Sequence, residues 1–258
     1  MGVGSWQDTV LWAECQASSS SWDDDYNRPV EISVDQLRNT VVFRRASDEQ
    51  LLALLRVSAL RQIEEGAYFF MQGDPAKDSY ILTGGQVKLL QSNPLGQLVN
   101  LRTVYPWQLF GALGAVRETA EYPASAQALE DSVALAIPSG HLKQLLRSSP
   151  ELSMDMMQLM TSYIMEMQSR YRELATERVE QRICRAMLRL AAQSGQRAED
   201  GISLFLSRED LAQMTGTTLH TVSRVLAGWH RKGLIEAGRE HVRLLRPHDL
   251  VRMAEGLP

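Results

Sequence analysis

The sequence has few cysteines and no long apolar run. Two cysteines among 258 residues, Cys15 and Cys184, cannot build a disulfide framework or a four-cysteine metal site, which indicates a reducing compartment. No stretch approaches the roughly 18 apolar residues that a membrane helix needs. The first residues also lack the basic region and apolar run of a signal peptide. We therefore expect a cytoplasmic protein that makes no membrane contact.

Histidine is missing where one class of enzyme would need it. A metal-dependent enzyme of the cupin type holds its metal with clustered histidine and carboxylate ligands inside β-strands. Residues 68–137 are rich in strand-forming runs, and they contain no histidine. A Gly-rich phosphate loop, a nucleophile elbow and a His-Glu-x-x-His motif are also missing. We therefore expect a protein that is not an enzyme, with a cupin-like enzyme as the alternative from another class.

Charge and length set further bounds. The formal net charge is −4 and the isoelectric point is about 5.8. This balance argues against a protein that coats nucleic acid over its whole surface, but it allows one small DNA-reading face. A hydrophobic fraction of 44% suffices to bury a core, and 258 residues suit two modest domains.

Residues 1–30 differ from the rest of the chain. They contain a serine run, Ser18–Ser21, and an acidic run, Asp23–Asp25. We interpret them as a solvated acidic arm, because such composition cannot bury enough apolar surface to fold. The alternative is an arm that packs through its tryptophans, which are Trp6, Trp12 and Trp22.

The next part of the chain has the pattern of a small β-domain. Apolar positions predict a short helix from Asp48 to Leu60. From Tyr68 to Ile137, short β-prone runs alternate with turn signals such as Gly84-Gly85. Strands at this close spacing indicate an antiparallel sandwich or a small barrel. We assign residues 31–148 to this domain.

A helical segment follows Pro138. A short helix is expected around His141–Arg147, and Ser149-Pro150-Glu151 is typical of a helix start. No proline or glycine follows until Gly195, so we predict one long helix, or two helices with a bend near Ala175-Thr176. Apolar side chains recur along it every three or four residues, in a methionine-rich stripe that suits a homodimer seam. We assign the following residues to that seam: Met156, Leu159, Tyr163, Met167, Tyr171 and Leu174.

Residues 206–236 have the layout of a helix-turn-helix. Ser207 and Asp210 resemble a capping box at the start of a first helix, which ends at Gly216. A second helix is predicted from near Thr218 to Arg231. A β-hairpin that turns at Ala237-Gly238 follows, so the sequence predicts a winged helix-turn-helix. The residues expected to pack in the corner between the helices are Leu211, Ala212, Val222, Val225 and Leu226.

The second helix carries side chains suited to reading bases. His220, Ser223 and Arg224 fall on one exposed turn, with Leu219 beside them. Arginine offers paired donors that match guanine, serine and histidine reach single base-edge atoms, and leucine touches a thymine methyl. The surrounding residues suit phosphate contacts and are Thr217, Thr218, Thr221, Arg208, Arg231 and Lys232. We predict that this set binds double-stranded DNA.

Three segments of the β-domain have the pattern of glycines and turns that is typical of a known family: residues 70–75, 80–89 and 109–114. Together with the helix-turn-helix, they make the chain from about Leu51 to Leu250 similar to the Crp–Fnr superfamily of bacterial transcription regulators. The resemblance implies an α+β fold with an N-terminal antiparallel β-roll of the cyclic-nucleotide-binding type. It also implies a long dimerisation helix, residues 149–176, and a C-terminal winged helix-turn-helix, residues 177–258. A homodimer that reads an inverted repeat and contacts RNA polymerase, more often as an activator, would follow.

The resemblance also places an effector pocket, which departs from that of the cyclic-AMP-binding members. The chain has Ala112 where those members have a ribose-binding glutamate, and Pro123-Ala124-Ser125 where they have an Arg–Ser pair for the phosphate. A buried phosphate without a guanidinium partner is costly, so we expect an effector other than cyclic AMP. The expected pocket residues are Gly111, Ala112, Leu113, Pro123, Ala124, Ser125, Met167 and Gln168.

The strings at residues 122–130 and 216–224 are most similar to the nitrogen-oxide-responsive branch, which implies a haem that senses nitric oxide. His141 is the one histidine of the predicted β-domain, and a solvated role at a helix start competes with haem ligation. An iron–sulfur cluster needs several cysteines, which Cys15 cannot supply alone. We expect a transcription regulator gated by a small effector, with a constitutive regulator that keeps a vestigial pocket as the alternative.

Overall fold

The computed structural model describes residues 32–93, 98–117, 119–198, 200–238 and 240–256. Contacts divide the chain into a first unit, Met1–Val87 with Pro106–Met160, and a second unit, Lys88–Tyr105 with Thr161–Pro258. In chain order the elements are α1 (Val34–Leu37), a 3-10 turn (Val41–Phe43), α2 (Asp48–Val57), β1 (Ala59–Ile63), β2 (Tyr68–Phe70), β3 (Asp78–Gly84), β4 (Val87–Ser92), β5 (Leu98–Val104), β6 (Leu109–Phe110), α3 (Leu113–Val116), β7 (Ser125–Ala128), β8 (Ser132–Pro138), α4 (Ser139–Ser148), α5 (Pro150–Thr176), α6 (Val179–Ser194), β9 (Gln196–Ala198), β10 (Gly201–Phe205), α7 (Arg208–Thr215), α8 (Leu219–Arg231), β11 (Ile235–Ala237), β12 (His241–Leu244) and α9 (Pro247–Ala254). None of these helices is both long and apolar enough to cross a membrane.

The first unit is built on antiparallel strands. One of its sheets has the order β1-β8-β3-β6, and β2 pairs with β7. Strand β8 is central in that sheet, and its Leu135 and Ile137 are buried in the same core as Leu142 of α4 and Leu152 of α5. The predicted antiparallel β-domain and the short helix after Pro138 are therefore confirmed.

One boundary of this domain differs from the prediction. Helix α2 begins at a capping box in which Ser47 and Gln50 exchange hydrogen bonds, and it ends at Val57 rather than Leu60. Leu60 instead lies in β1, opposite Leu135 of β8. Strand β1 carries few buried side chains, so its conformation depends on pairing with β8, which a local pattern does not show.

The second unit contains the helix-turn-helix and a small sheet. Its strands have the order β11-β12-β10-β9, and the hairpin of β11 and β12 packs beside α8 as a wing. The core is shared by α6, α7 and α8, with Ile183, Met187 and Trp229 among its buried members. The C-terminal winged helix-turn-helix is confirmed. Strands β9 and β10 were not predicted, although alternation of Ile202, Ser203 and Leu204 signals the second of them.

Helices α5 and α6 form the predicted long segment. The helix is interrupted at Glu177-Arg178, which confirms two helices with a bend close to the expected position. At the break, the Arg178 N–H donates to Gln181 Oε1 at 3.1 Å. Two ion pairs stabilise the corner, from Arg185 to Glu177 at 2.8 Å and from Arg189 to the buried Glu173 at 2.7 Å.

The structure divides the stripe that was assigned to a dimer seam. Met156 is only 5% exposed and lies in the core of the first unit, with Leu159 packed against it. Tyr163 lies under the Arg102 guanidinium, 3.9 Å from its ring centre. Met167 and Tyr171, by contrast, are 61% and 75% exposed, and Leu174 is also exposed. Three successive steps of four residues turn the stripe by about 120° around the helix, so it cannot stay on one face.

Candidate nucleic-acid interface

The helix-turn-helix corner is fixed by local hydrogen bonds. Ser207 caps α7, since its hydroxyl accepts from the Asp210 N–H at 3.0 Å. Thr218 caps α8 in the same way through the Thr221 N–H at 3.2 Å. Gly216 ends α7 in the left-handed conformation, with φ of 59°, which favours glycine. The predicted helix boundaries are therefore confirmed.

One detail of the first cap differs from the prediction. In a full capping box the carboxylate of Asp210 would accept from the Ser207 backbone N–H. Instead, its Oδ2 accepts from the Ser207 hydroxyl at 2.5 Å, and its Oδ1 accepts from Lys88 Nζ at 2.8 Å. Asp210 is thus directed toward the β4–β5 hairpin, a long-range contact that no sequence pattern indicates.

The inner face of the corner is built mainly from apolar side chains. The five residues predicted to pack there belong to one buried cluster, together with Trp229. They are Leu211, Ala212, Val222, Val225 and Leu226. Because α8 buries this face, its opposite face must point outward, and the orientation of the reading side chains follows from the packing.

The outer face of α8 presents the predicted reading residues. Leu219, His220 and Arg224 are exposed, and Ser223 is half-buried on the same side of the helix. Arg224 forms no ion pair within the described part of the chain, so its guanidinium is available to an outside acceptor. The arrangement offers paired donors and single polar groups on one turn, which is the chemistry that base edges in a DNA major groove require.

The predicted phosphate contacts surround this face in unequal states. Thr218, Arg231 and Lys232 are exposed, whereas Thr217 and Thr221 are half-buried. Arg208 is also half-buried, and its Nε has no hydrogen-bond partner among the described residues. The three threonines therefore lie at the start of α8, and Arg231 and Lys232 lie at its end. Arg208 is the first residue of α7.

The wing closes through a tight turn. The Gly238 N–H donates to the His241 carbonyl at 2.9 Å, and Arg243 pairs with Glu236 across the hairpin at 3.1 Å. Strand β12 pairs in turn with β10, which places His241 opposite the exposed Phe205. The predicted hairpin is confirmed, but Ala237 is the last residue of β11 and pairs with Val242, so the turn lies one residue later than the predicted Ala237-Gly238. The wing is attached to the rest of the second unit by β10.

The segment expected to hold an effector is packed with aromatic rings. Tyr122 stacks on Phe70 with ring centres 3.7 Å apart, and its hydroxyl donates to the Asp78 carbonyl at 2.6 Å. Tyr80 and Phe110 stack beside them. A Cβ on Gly111, whose φ is 67°, would approach the rings of Phe70, Tyr80 and Tyr122 to 3.0–3.2 Å. The rings of Phe70, Tyr80 and Tyr122 therefore lie directly beside Gly111.

The expected pocket residues offer few groups that could bind a phosphate. Ala124 and Ser125 are buried, and the Ser125 hydroxyl accepts from the Gln72 N–H at 2.9 Å. Arg117 is the single basic residue between 111 and 125, and its side chain is exposed. Ala112 offers no polar group for a ribose. Met167 and Gln168 lie exposed on α5, in the second unit.

His141, the candidate haem ligand, lies in the first turn of α4, and its side chain is exposed among the described residues. The described residues also contain no group of three or more His, Cys, Asp or Glu side chains placed to hold a metal ion. Cys15 lies outside the described residues. Cys184 is buried, and burial raises the pKa of its thiol to about 12, so the reactive thiolate is disfavoured.

Two family models match the chain. A Crp-like helix-turn-helix domain matches residues 181–253, and a cyclic nucleotide-binding domain matches residues 60–149. These ranges correspond to the winged helix-turn-helix and to most of the β-domain.

Individual proteins extend the similarity over both parts. The chain is 30% identical over 198 residues to the transcriptional activator protein anr of Pseudomonas aeruginosa, which covers 76% of this chain and 80% of that protein. It is 27% identical over 221 residues to the cyclic AMP receptor protein of Thermus thermophilus, covering 86% of this chain and all of that one. A solved CRP-family regulator from Thermus thermophilus superposes with a TM-score of 0.66 and 27% identity, covering 76% of this chain and 97% of the other.

Proposed function

Because the chain belongs to the Crp–Fnr family of transcription regulators, which are not enzymes, we propose that it binds an inverted-repeat promoter site as a homodimer under the control of a small effector. The observation that carries this proposal is the outer face of α8, where Arg224, which forms no ion pair with any described residue, stands among polar groups above a buried inner face. A rigid, capped helix with such a face suits insertion into a major groove.

The residues of the corner divide into two roles. Arg224 is assigned to the O6 and N7 atoms of a guanine, and His220, Ser223 and Leu219 to the adjacent base edges. The threonines at the start of α8 and the basic residues at its end are assigned to phosphates, which set the register without reading sequence. Dimer formation then fixes the distance between two half-sites at about one helical turn, roughly 34 Å.

The dimer seam is redrawn from the exposed side chains of α5. Six apolar residues are separated alternately by three and four positions, and each is exposed. They are Met157, Met160, Ile164, Met167, Tyr171 and Leu174. This is the spacing of the a and d positions of a coiled coil, so one copy of α5 would bury its stripe against the same stripe of a second copy. The redrawn seam keeps Met167, Tyr171 and Leu174, and it leaves out Met156 and Leu159, which pack in the core of the first unit, and Tyr163, whose ring lies under Arg102.

The effector is proposed to be neither cyclic AMP nor an iron–sulfur cluster. The absence of a buried basic side chain in residues 111–125 supports the first exclusion, and the small number of cysteines supports the second. A nitric oxide signal stays a prediction, and the exposed His141 gives it no enclosed haem ligand. Contact with RNA polymerase likewise stays an expectation drawn from the family.

A constitutive regulator is the second candidate, and the aromatic packing at Gly111 favours it. Rings that already fill the space around the loop leave a vestigial pocket, so DNA affinity would depend on no small molecule. The two candidates differ in one measurement. The constitutive protein binds its operator fully when purified, whereas the gated protein gains affinity when its effector is added.

Selection from a random DNA pool tests the proposal. We expect the full-length protein to enrich an inverted repeat whose half-sites are separated by about 10 base pairs. The Arg224→Ala variant should enrich the same repeat with one position relaxed. Failure to enrich any sequence, or enrichment of an unpaired half-site, would contradict the proposed function.

A further inference from the structure

The turn of the helix-turn-helix lies beside the end of α5, and both belong to the second unit. Gly216 ends α7, and a Cβ on this glycine would lie 3.1 Å from Leu174 Cδ2 of α5. Helix α6, which follows α5 after the bend, packs against α7. The turn that leads into α8 is therefore next to the helix that carries the redrawn dimer seam.

One arginine is bonded to both of these places. Arg182 is the fourth residue of α6, and it is half-buried. Its Nε donates to the Thr215 carbonyl at 3.1 Å, and its Nη1 donates to the Glu177 carbonyl at 3.1 Å. Thr215 is the last residue of α7, and Glu177 is the first residue after α5. A single guanidinium therefore joins the end of α5 to the end of α7.

The two carbonyls are good partners for a cation. The last carbonyls of a helix have no acceptor role within the helix, and they carry the partial negative charge of its dipole. A hydrogen bond from a charged donor to such a group is stronger than one between neutral groups. The donors of a guanidinium are also fixed in a planar fork, so Arg182 holds the two carbonyls in one geometry, which a lysine ammonium does not do.

The connection continues on both sides of Arg182. Two ion pairs, Arg185 with Glu177 and Arg189 with the buried Glu173, attach α6 to the end of α5. On the other side, α7 and α8 share one buried core with α6. Arg182 thus extends the attachment from α5 to α7, and the shared core extends it to α8.

In a dimer that reads an inverted repeat, this attachment sets the distance between the two copies of α8. Each base pair added between the half-sites moves one of them by about 3.4 Å and turns it by about 35° around the duplex. A rigid dimer has to deform the DNA to reach a misplaced half-site, whereas a dimer with a loose attachment swings to follow it. Discrimination between spacings therefore depends on how firmly α8 is attached to α5.

We propose that Arg182 is a positioning residue that determines which spacing between half-sites the protein accepts. By bonding the ends of α5 and α7 in one geometry, it makes the dimer reject repeats whose spacing differs by one base pair. This inference rests on the proposed function, since it requires a homodimer that binds an inverted repeat, whereas the attachment itself is a property of the free protein.

Competition between duplexes of different spacing tests the role of Arg182. The duplexes carry the selected half-site as an inverted repeat, with one or two base pairs added or removed at the centre. The full-length wild type should prefer one spacing about tenfold over its neighbours. Arg182→Met removes both bonds and should reduce this preference to about twofold, with the base preferences inside each half-site unchanged. Arg182→Lys keeps the charge without the fork, so its preference should be intermediate, and it supplies the test if Arg182→Met does not fold. Arg197→Met removes an exposed arginine of β9 in the same unit and, as the control, should keep the wild-type preference.

The pattern of the loss separates positioning from other roles. A variant that only destabilised the fold, or only lost a phosphate contact, would lose affinity equally at every spacing. An equal loss at every spacing in the Arg182 variants, with the wild-type preference intact, would therefore overturn the proposal.

Hydrogen exchange of the free protein tests the attachment without DNA. The amides of Gly216 and Thr217 both donate to the Ala212 carbonyl at the end of α7. In Arg182→Met they should exchange about fivefold faster than in the wild type and in Arg197→Met. Unchanged exchange would overturn the attachment. If the wild type bound no inverted repeat at any spacing, the proposed function would fail, while the exchange data would still decide whether Arg182 holds the turn.

Discussion

The outer face of α8 and the loops around Gly111 are the two regions where this protein would meet a ligand, and they are built in opposite ways. On α8, the apolar residues are buried on one side, and the other side carries Arg224, which forms no ion pair with a described residue. Around Gly111, aromatic rings lie close together, the Ser125 hydroxyl accepts from a backbone N–H, and the Tyr122 hydroxyl donates to a backbone carbonyl. The first region therefore presents polar donors to the outside, whereas the second presents aromatic rings.

The largest expected effect comes from the scaffold of the reading face. Trp229→Ala removes the largest ring of the core behind α8 and should lower the free energy of unfolding of the second unit by about 3–5 kcal/mol. Chemical denaturation followed by circular dichroism measures this loss. Trp107→Ala, which removes a half-buried ring packed against the core of the first unit, is the control and should cost less. Equal losses of unfolding free energy in the two variants would mean that Trp229 stabilises the second unit no more than Trp107 stabilises the first.

A charge in the redrawn seam should separate the protomers. Ile164→Lys places an ammonium at the centre of the exposed stripe and should weaken the dimer about a hundredfold, because that charge would be desolvated on association. Sedimentation across a concentration series measures the change. Met154→Lys lies on the same helix outside the three-and-four spacing, and its dimer should stay intact. Dimers that survive Ile164→Lys would place the interface elsewhere.

Loss of the proposed base contact should have a smaller and more selective effect. Arg224→Ala should reduce operator affinity by about 1–3 kcal/mol and relax one base position. Arg231→Ala removes a proposed phosphate contact, so affinity should fall equally for all DNA sequences. The slope of the logarithm of the binding constant against the logarithm of salt concentration should also fall by about one. Binding assays over single-base variants of the operator distinguish these outcomes. A uniform loss for Arg224→Ala would remove it from base reading.

The smallest effect is expected in the aromatic region. Tyr122→Phe keeps the stack on Phe70 and removes the hydrogen bond to the Asp78 carbonyl, so the first unit should lose about 1 kcal/mol. Operator affinity should not change. A loss of DNA binding in this variant would show that the outer face of α8 depends on the aromatic region around Gly111.

The same variant carries a pH signature. Burial raises the pKa of Tyr122 well above its usual value, so the folded protein holds the neutral phenol. The unfolded chain releases that proton at about pH 10, and the stability of the first unit should therefore fall as pH rises above about 10. Tyr122→Phe should make this fall less steep. An unchanged slope would assign the alkaline loss to other groups, among them Tyr80, whose pKa burial also raises.

What the sequence predicts follows the range of the interactions involved. The cap at Ser207, the end of α7 at Gly216, the start of α8 near Thr218 and the buried face of α8 all depend on residues a few positions apart, and each was predicted. Strand β1 and the Lys88–Asp210 contact depend on partners far along the chain, and neither was predicted. The seam lies between these cases. Its helix was predicted, but the face that is buried depends on the core that Met156 enters, which the spacing alone does not reveal.

The stoichiometry of the protein on DNA tests the central claim most directly. The mass of the complex should be measured on a duplex that carries the selected inverted repeat and on one that carries a single half-site. We predict two chains per duplex on the repeat, with affinity far above that for the half-site. One chain per duplex, bound equally tightly to both, would contradict a homodimer that reads DNA through two copies of α8.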